Sequence, residues 1–268
     1  MNHLFRELAP VPDEAWAQID DEARSRLTTY LAARRLVDFS GPHGWDHSAH
    51  NLGRASLADE APAPGVEART RQVLPLVELR VPFTLARSEL ADAARGNNAI
   101  DLAPLDDAAK AIALAENRAV FHGYTAGGLR GITDATTRRV VTSGTWDRYP
   151  AHVAQGVEQL LLEGISGPYG LALGSDVWTG VVESTEHGGY PLMDHLTRIL
   201  GGPLVWAPGI DGGVVISQRG GDFVFESGQD LSIGYLDHDA TQVTLYLEES
   251  FTFRVAEPGA AVAISSAP

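Results

Sequence analysis

The chain has 268 residues, no cysteine and a formal net charge of −15. That length supports one irregular domain or two smaller ones, and the missing cysteines exclude disulfides, thiolate metal sites and cysteine nucleophiles. The acidic balance argues against a nucleic-acid surface, which needs clustered cations to displace counterions.

No apolar run approaches membrane-spanning length, and the opening MNHLFRELAPVPDE has neither a basic leader nor an apolar signal core. A soluble, unexported, cytoplasmic chain with no membrane partner is therefore expected. Lys110 is the sole lysine among 20 basic residues. Arginine suits carboxylate-binding interfaces, and a GC-rich genome produces the same bias.

The first predicted element is an amphipathic helix from Asp13 to about Arg35, with Trp16, Ile19, Ala23, Leu27, Tyr30 and Leu31 at three- and four-residue spacing. Asp13 is placed to cap it, and Glu14 near the start with Arg34 and Arg35 at the end match the helix dipole. Residues Ser40 to Pro75 differ in kind, holding glycine, proline and charge with little apolar content. So long a poorly covered segment reads as an extended, functional arm. Its His43, His47 and His50 are not read as a metal site: on a strand His47 and His50 point to opposite faces, and no carboxylate-histidine pattern completes one.

After a strand at Leu76 to Val81, the spacing predicts a second helix from Ala103 to Tyr124. Pro104 lies near its start, Asp106 and Asp107 follow, and Gly127-Gly128 is the expected stop. Glu116 intrudes on the apolar stripe and reads as a paired structural carboxylate, because no second acid or histidine accompanies it at helical spacing. From Asp134 to Arg219 the pattern is mixed. Helices are expected from Pro150 to Gly164, around Asp176 to Val182 and from Pro191 to Leu200, with strands at Tyr169 to Leu173, Leu204 to Ala207 and Val214 to Ser217. This unit is inserted between the second helix and a terminal sheet.

In that terminal stretch, Arg219 to Val255, apolar residues fall on odd numbers: Phe223, Phe225, Leu231, Ile233, Tyr235, Val243, Leu245, Leu247, Phe251, Phe253 and Val255. Period-two alternation means strands with one face buried. Turns at Ser227-Gly228 and Asp237-His238-Asp239 divide it into three strands, the last from about Gln242 to Val255. Its even face, Thr244, Tyr246, Glu248, Ser250, Thr252 and Arg254, is either wetted or meets another chain.

No phosphate loop, dinucleotide fingerprint, metalloprotease helix or nucleophile elbow is present, so catalysis finds no support. Several runs, in one order along nearly the whole chain, resemble the encapsulin shell proteins, the linocin-like family. They are Leu8-Ala9-Pro10 with Trp16 and Asp20, GPHGW at 41–45, PLVELRVPFTL at 75–85, RAVFHGY at 118–124, HGGYP at 187–191, APGIDG at 207–212, RGGDF at 219–223, GQDLSIGYLDHD at 228–239 and LYLEESFTFRV at 245–255.

The resemblance implies an α+β chain with the tailed-phage major capsid protein fold of the Hong Kong phage type. The N-terminal helix (1–37) belongs to a peripheral domain, followed by an extended E-loop (38–81), the peripheral domain with its spine helix (82–133), an axial domain (134–222) and terminal strands of the peripheral domain (223–268). It implies a non-enzymatic subunit of a closed icosahedral shell, about sixty copies if all are equivalent. Such a shell encloses a cargo enzyme, a peroxidase or a ferritin-like protein, through a short C-terminal docking peptide on the cargo.

The peptide is expected in a groove built from Leu27, Tyr30, Leu31, Arg34, Arg35 and Asp38 with Leu231, Ile233 and Tyr235. A fivefold pore is expected at Glu183, Ser184, Thr185, Glu186, His187, Gly188, Gly189 and Tyr190. Relatives carry an aromatic ring in the middle of the first helix where this chain has Leu27 and Thr28, so its groove is less aromatic. Some hold flavin, but Ala86-Arg87-Ser88-Glu89 offers no ring to stack on it, and no cofactor is expected. A prophage capsid protein and, in another class, a hydrolase are the alternatives.

Overall fold

The computed structural model describes residues 3–142, 145–185 and 189–266. Helix α1 (Asp13–Tyr30) buries Ala15, Ile19, Ala23 and Leu27 on one face, as the three- and four-residue spacing requires. It stops five residues short of the expected Arg35, and the cause lies 85 residues along the chain. Buried Asn117 accepts from the Ala32 and Ala33 amides at 3.0 and 3.3 Å and donates to the Tyr30 carbonyl at 2.9 Å. Those bonds satisfy backbone groups at the helix end that would otherwise be orphaned. Arg34 and Arg35 therefore sit on a separate 3-10 turn (Ala33–Arg35), not on a helix C-terminus. At the other end Pro12 holds the cap position and Asp13 makes no capping bond.

Strand β1 (Asp38–Ser40) leads into an arm of two antiparallel strands, β2 (Ala49–Leu57) and β3 (Arg69–Pro75). They pair only with each other among the described residues. The chain returns to the body in β4 (Val77–Ala86), then α2 (Arg87–Ala94) and α3 (Ala103–His122). The long helix ends on Gly123, at φ 88°, and not on the Gly127-Gly128 pair. A Cβ at Gly123 would lie 2.6 Å from Asp134 Oδ2 and 2.9 Å from the Gly131 nitrogen, so both conformation and space demand glycine there.

The inserted unit runs through α4 (Ile132–Ala135), β5 (Arg139–Thr142), α5 (Tyr149–Leu162), β6 (Tyr169–Leu173), α6 (Ser175–Glu183), α7 (Leu192–Leu200), β7 (Gly201–Trp206) and β8 (Gly213–Ser217). The terminal stretch supplies β9 (Phe223–Ser227), β10 (Ser232–His238), β11 (Gln242–Val255) and β12 (Ala261–Ser266). Two five-stranded sheets result. One has the order β1-β9-β11-β10 with β4 on the other side of β11; the second has the order β5-β12-β8-β6-β7. The last strand thus leaves the terminal sheet, where it was expected, and pairs with β5 and β8 of the inserted unit.

Register on β11 is continuous: Gln242 to Phe251 oppose Ala86 to Val77 of β4, and Phe251 to Val255 oppose Ser227 to Phe223 of β9. The odd residues Val243, Leu245 and Leu247 pack with Ile19, Leu27, Leu90, Leu105 and Ile112 from the helices. Most of the even face is covered from within the chain, while Thr244 and Arg254 stay partly exposed. Tyr246, Glu248, Ser250 and Thr252 are all buried, because the chain's own first residues and the arm's base lie over them. His3 Nε2 meets Glu248 at 3.0 Å and stacks on Trp45 at 3.9 Å, and Arg80 lies over the Tyr246 ring.

Candidate functional site

A groove of about 490 Å³ lies between α1 and the start of β10. Leu27 and Leu31 form one wall. They are brought together because the Leu31 amide still bonds to the Leu27 carbonyl at 2.9 Å as the helix ends. Leu231 and Ile233 form the other wall, two residues apart on the face that alternation turns toward α1. Leu247, 1% exposed, lines it from β11.

Five of the nine residues expected in the groove therefore meet there: Leu27, Leu31, Arg34, Leu231 and Ile233. The other four do not line it. Tyr30 tilts against Trp206 with ring centroids 5.9 Å apart, since helix rotation carries it off the groove face. Arg35 and Asp38 line a separate cavity of about 160 Å³ with Gln218 and Asp222. The Tyr235 hydroxyl meets His238 Nδ1 at 2.5 Å, beyond the end of the groove. Leu4, Arg6, Asp20, Asp230 and Ser232 line the groove unexpectedly. Leu4 and Arg6 carry no periodic signal in a run of only twelve residues before the helix.

One end of the groove is a buried charge cluster. The Arg34 guanidinium reaches Glu116 at 2.7 Å, Asp230 at 2.6 Å and Glu249 at 2.8 Å, and lies over the Phe225 ring at 5.0 Å. Glu116 and Glu249 are 0% and 1% exposed. Burial works against the Arg34 charge, but the carboxylates of Glu116 and Glu249 more than offset it and hold the guanidinium protonated. Three acids face one cation. Burial first, and then the charge of Glu116, push the Glu249 carboxyl well above the ordinary carboxylate range. Glu116, held by Arg34, is the paired structural carboxylate expected from its spacing.

A second cluster anchors the arm. His47 Nε2 lies 2.7 Å from one Glu226 carboxylate oxygen, and His50 Nδ1 meets the other. The alternation argument that sent these histidines to opposite faces does not apply, because His47 lies in the loop before β2 begins. Burial tends to raise the Glu226 carboxyl, but the hydrogen bonds to His47 and His50 outweigh it and hold the group below its ordinary value. Among the described residues no group of three or more acidic or histidine side chains is arranged to hold a metal ion.

Of the residues expected at the pore, Glu186, His187 and Gly188 lie outside the described residues. Glu183 ends α6, Thr185 bridges to Pro191, and Arg198 lies over the Tyr190 ring at 5.3 Å.

The family described as encapsulating protein for peroxidase, Linocin_M18, matches residues 1–252. The type 1 encapsulin shell protein of Rhodospirillum rubrum is 51% identical over 268 residues, spanning 98% of this chain and 96% of that protein. The chain belongs to the encapsulin shell protein family. Encapsulin shell proteins are structural, which sets aside the hydrolase alternative.

Solved structures agree on the encapsulin's fold. A virus-like particle from Pyrococcus furiosus superposes with a TM-score of 0.66 at 17% identity, covering 93% of this chain and 99% of that one. Mycobacterium phage Bobi gives 0.56 at 13% identity, covering 90% and 92%. At such identities the likeness concerns fold alone, and the fold is that of tailed-phage major capsid proteins. No helix among the described residues is long and apolar enough to cross a membrane.

Proposed function

We propose that this chain is the subunit of a self-assembling, closed cytoplasmic shell, about sixty copies in its smallest form. The shell encloses a cargo enzyme of the peroxidase or ferritin-like class. The observation that carries this reading is the β2-β3 arm. It is a two-stranded ribbon with exposed Leu57, Val66 and Val73, and such a ribbon is marginal in water unless something packs against it. Neighbouring copies supply that cover in a shell. A monomer does not.

Deleting residues 49–67 removes β2 and the tip of the arm and touches neither five-stranded sheet. Native mass spectrometry should then find small species in place of a particle near sixty subunits; a monodisperse monomer of the intact chain at micromolar concentration would overturn the assembly reading.

The groove between α1 and β10 is the docking place for a short apolar peptide of the cargo. Each leucine-sized anchor fully buried there contributes roughly 1.5–3 kcal/mol, and many identical sites on one shell hold an oligomeric cargo by avidity. Leu31→Asp puts an uncompensated charge into the groove and should abolish loading while particles still form. Equal cargo in both particles places docking elsewhere. The segment 183–190 lines a pore at a symmetry axis, where copies of Glu183 form a ring of like charge that draws in small cations. Glu183→Gln should slow ferrous-ion uptake into loaded shells at low salt, and unchanged uptake would remove the pore assignment.

A further inference from the structure

Of residues 3–12, the stretch leading into α1, only Leu4 is buried. Its side chain, 9% exposed, lies in the groove among Leu27, Ile233 and Leu247, and its carbonyl accepts from the Tyr235 amide at 2.8 Å. The one apolar anchor of this segment is thus a leucine on the same surface that a cargo leucine would use.

The residues on either side hold Leu4 without burying themselves. His3 Nε2 lies 3.0 Å from Glu248, and its ring stacks at 3.9 Å on the exposed Trp45. Arg6 meets Asp20 at 2.7 Å and covers the Trp16 ring at 4.0 Å, with both members of the ion pair partly exposed. Ion pairs that water reaches contribute little. Between them Phe5 sits at φ 51°, the only non-glycine residue at positive φ among the described residues. A bulky side chain rarely adopts that conformation, and Phe5 gains no burial in return, since it stays 42% exposed. Releasing Leu4 lets Phe5 return to the ordinary backbone region, and the relieved strain offsets part of the cost of unseating the leucine.

We infer that residues 3–6 form an autoinhibitory strap: Leu4 plugs the groove while it is empty, and cargo enters by unseating it. Two apolar side chains cannot fill one site, so the plug lowers the apparent affinity by the fraction of subunits in which it is out. A cargo segment with several anchors gains enough from the rest of the groove to displace Leu4. A single stray apolar side chain does not. The strap therefore discriminates against weak occupants, and it shields the apolar walls from water until cargo arrives. This inference rests on the docking role of the groove.

The test uses particles of the full chain, empty or assembled around a fluorescent protein that carries a short leucine-rich tail. Hydroxyl-radical footprinting, read residue by residue by mass spectrometry, follows the exposure of Leu31 and Leu4. Loading should protect Leu31 and raise the oxidation of Leu4 about fivefold, because the groove fills as the strap opens. Leu4→Ala particles should reach half of their capacity with about tenfold less tailed protein than the wild type. Protection of Leu4 together with Leu31, unchanged oxidation of Leu4, or poorer loading of Leu4→Ala particles overturns the strap, and Leu4 is then a wall of the groove. If Leu4→Ala fails to assemble, the wild-type footprint decides alone. Loading without protection of Leu31, or no loading, overturns the docking role of the groove and the strap with it.

Discussion

Glu248 and Glu249 are neighbours on β11, each 1% exposed, and alternation sends them to opposite faces of the sheet. On the Glu248 face acids and bases are matched: Glu248 meets His3 and Arg80, and Glu226 meets His47 and His50. On the Glu249 face acids are in surplus, with Glu116, Glu249 and Asp230 around Arg34 alone. The first face is solved by partners brought in from the N-terminus and the arm. On the second, burial and the neighbouring Glu116 push the Glu249 carboxyl toward its neutral form. One sheet therefore carries two buried carboxylate sites whose stability responds to pH in opposite directions.

The largest expected effect comes from Arg34→Met, which removes the lone cation from the surplus face. Leaving two buried acids without it should cost about 3–5 kcal/mol, read as a lower denaturant midpoint and loss of particles on size analysis. Glu249→Gln tests the same face from the other side. Because burial and Glu116 favour the neutral form of Glu249, the swap should cost under about 1 kcal/mol; a loss as large as that of Arg34→Met would show that its negative charge supports the fold.

The pH dependence sharpens the contrast. The Glu249 carboxyl is raised in the folded chain, so its contribution is fully present below about pH 4.3, the ordinary glutamate value, and is lost as pH rises through the folded value. The Glu226 carboxyl is depressed, so its contribution is present above about pH 4.3 and is lost as pH falls through the folded value. Denaturant midpoints measured against pH should fall on the alkaline side less steeply in Glu249→Gln than in the wild type. Acid should strip the arm's anchor first.

A smaller effect is expected at that anchor. Replacing His47 and His50 with alanine leaves Glu226 buried without its partners, at about 1–3 kcal/mol. Limited proteolysis should then cut the arm between 49 and 75 faster, with the sheets unchanged; an unchanged cutting rate would show that the histidines do not hold the arm.

The elements that sequence reading found are those governed by local periodicity. The alternation of β9, β10 and β11 and the stripe of α3 follow from apolar side chains spaced along one face, and the short apolar run Tyr169–Leu173 suits a strand buried on both faces. The end of α1 was missed because nothing at residues 31–35 breaks a helix; the signal is Asn117. The convergence of His47 and His50 was missed because it depends on where β2 begins, not on residue parity within a strand.

The groove was half legible for the same reason. Leu27, Leu31, Leu231 and Ile233 announce themselves by spacing, while Leu4, Asp20 and Asp230 join them only through the path of the first residues and the turn before β10. Hydrophobic pattern and the order of family-like runs thus determined the class of fold, the position of the arm and the two apolar walls. Tertiary structure alone decided that β12 crosses to the second sheet, that most of the even face of β11 is covered from within the chain, and that three acids share Arg34. Those outcomes hang on hydrogen bonds and ion pairs between residues 45 to 245 positions apart in sequence, and no local spacing encodes such contacts.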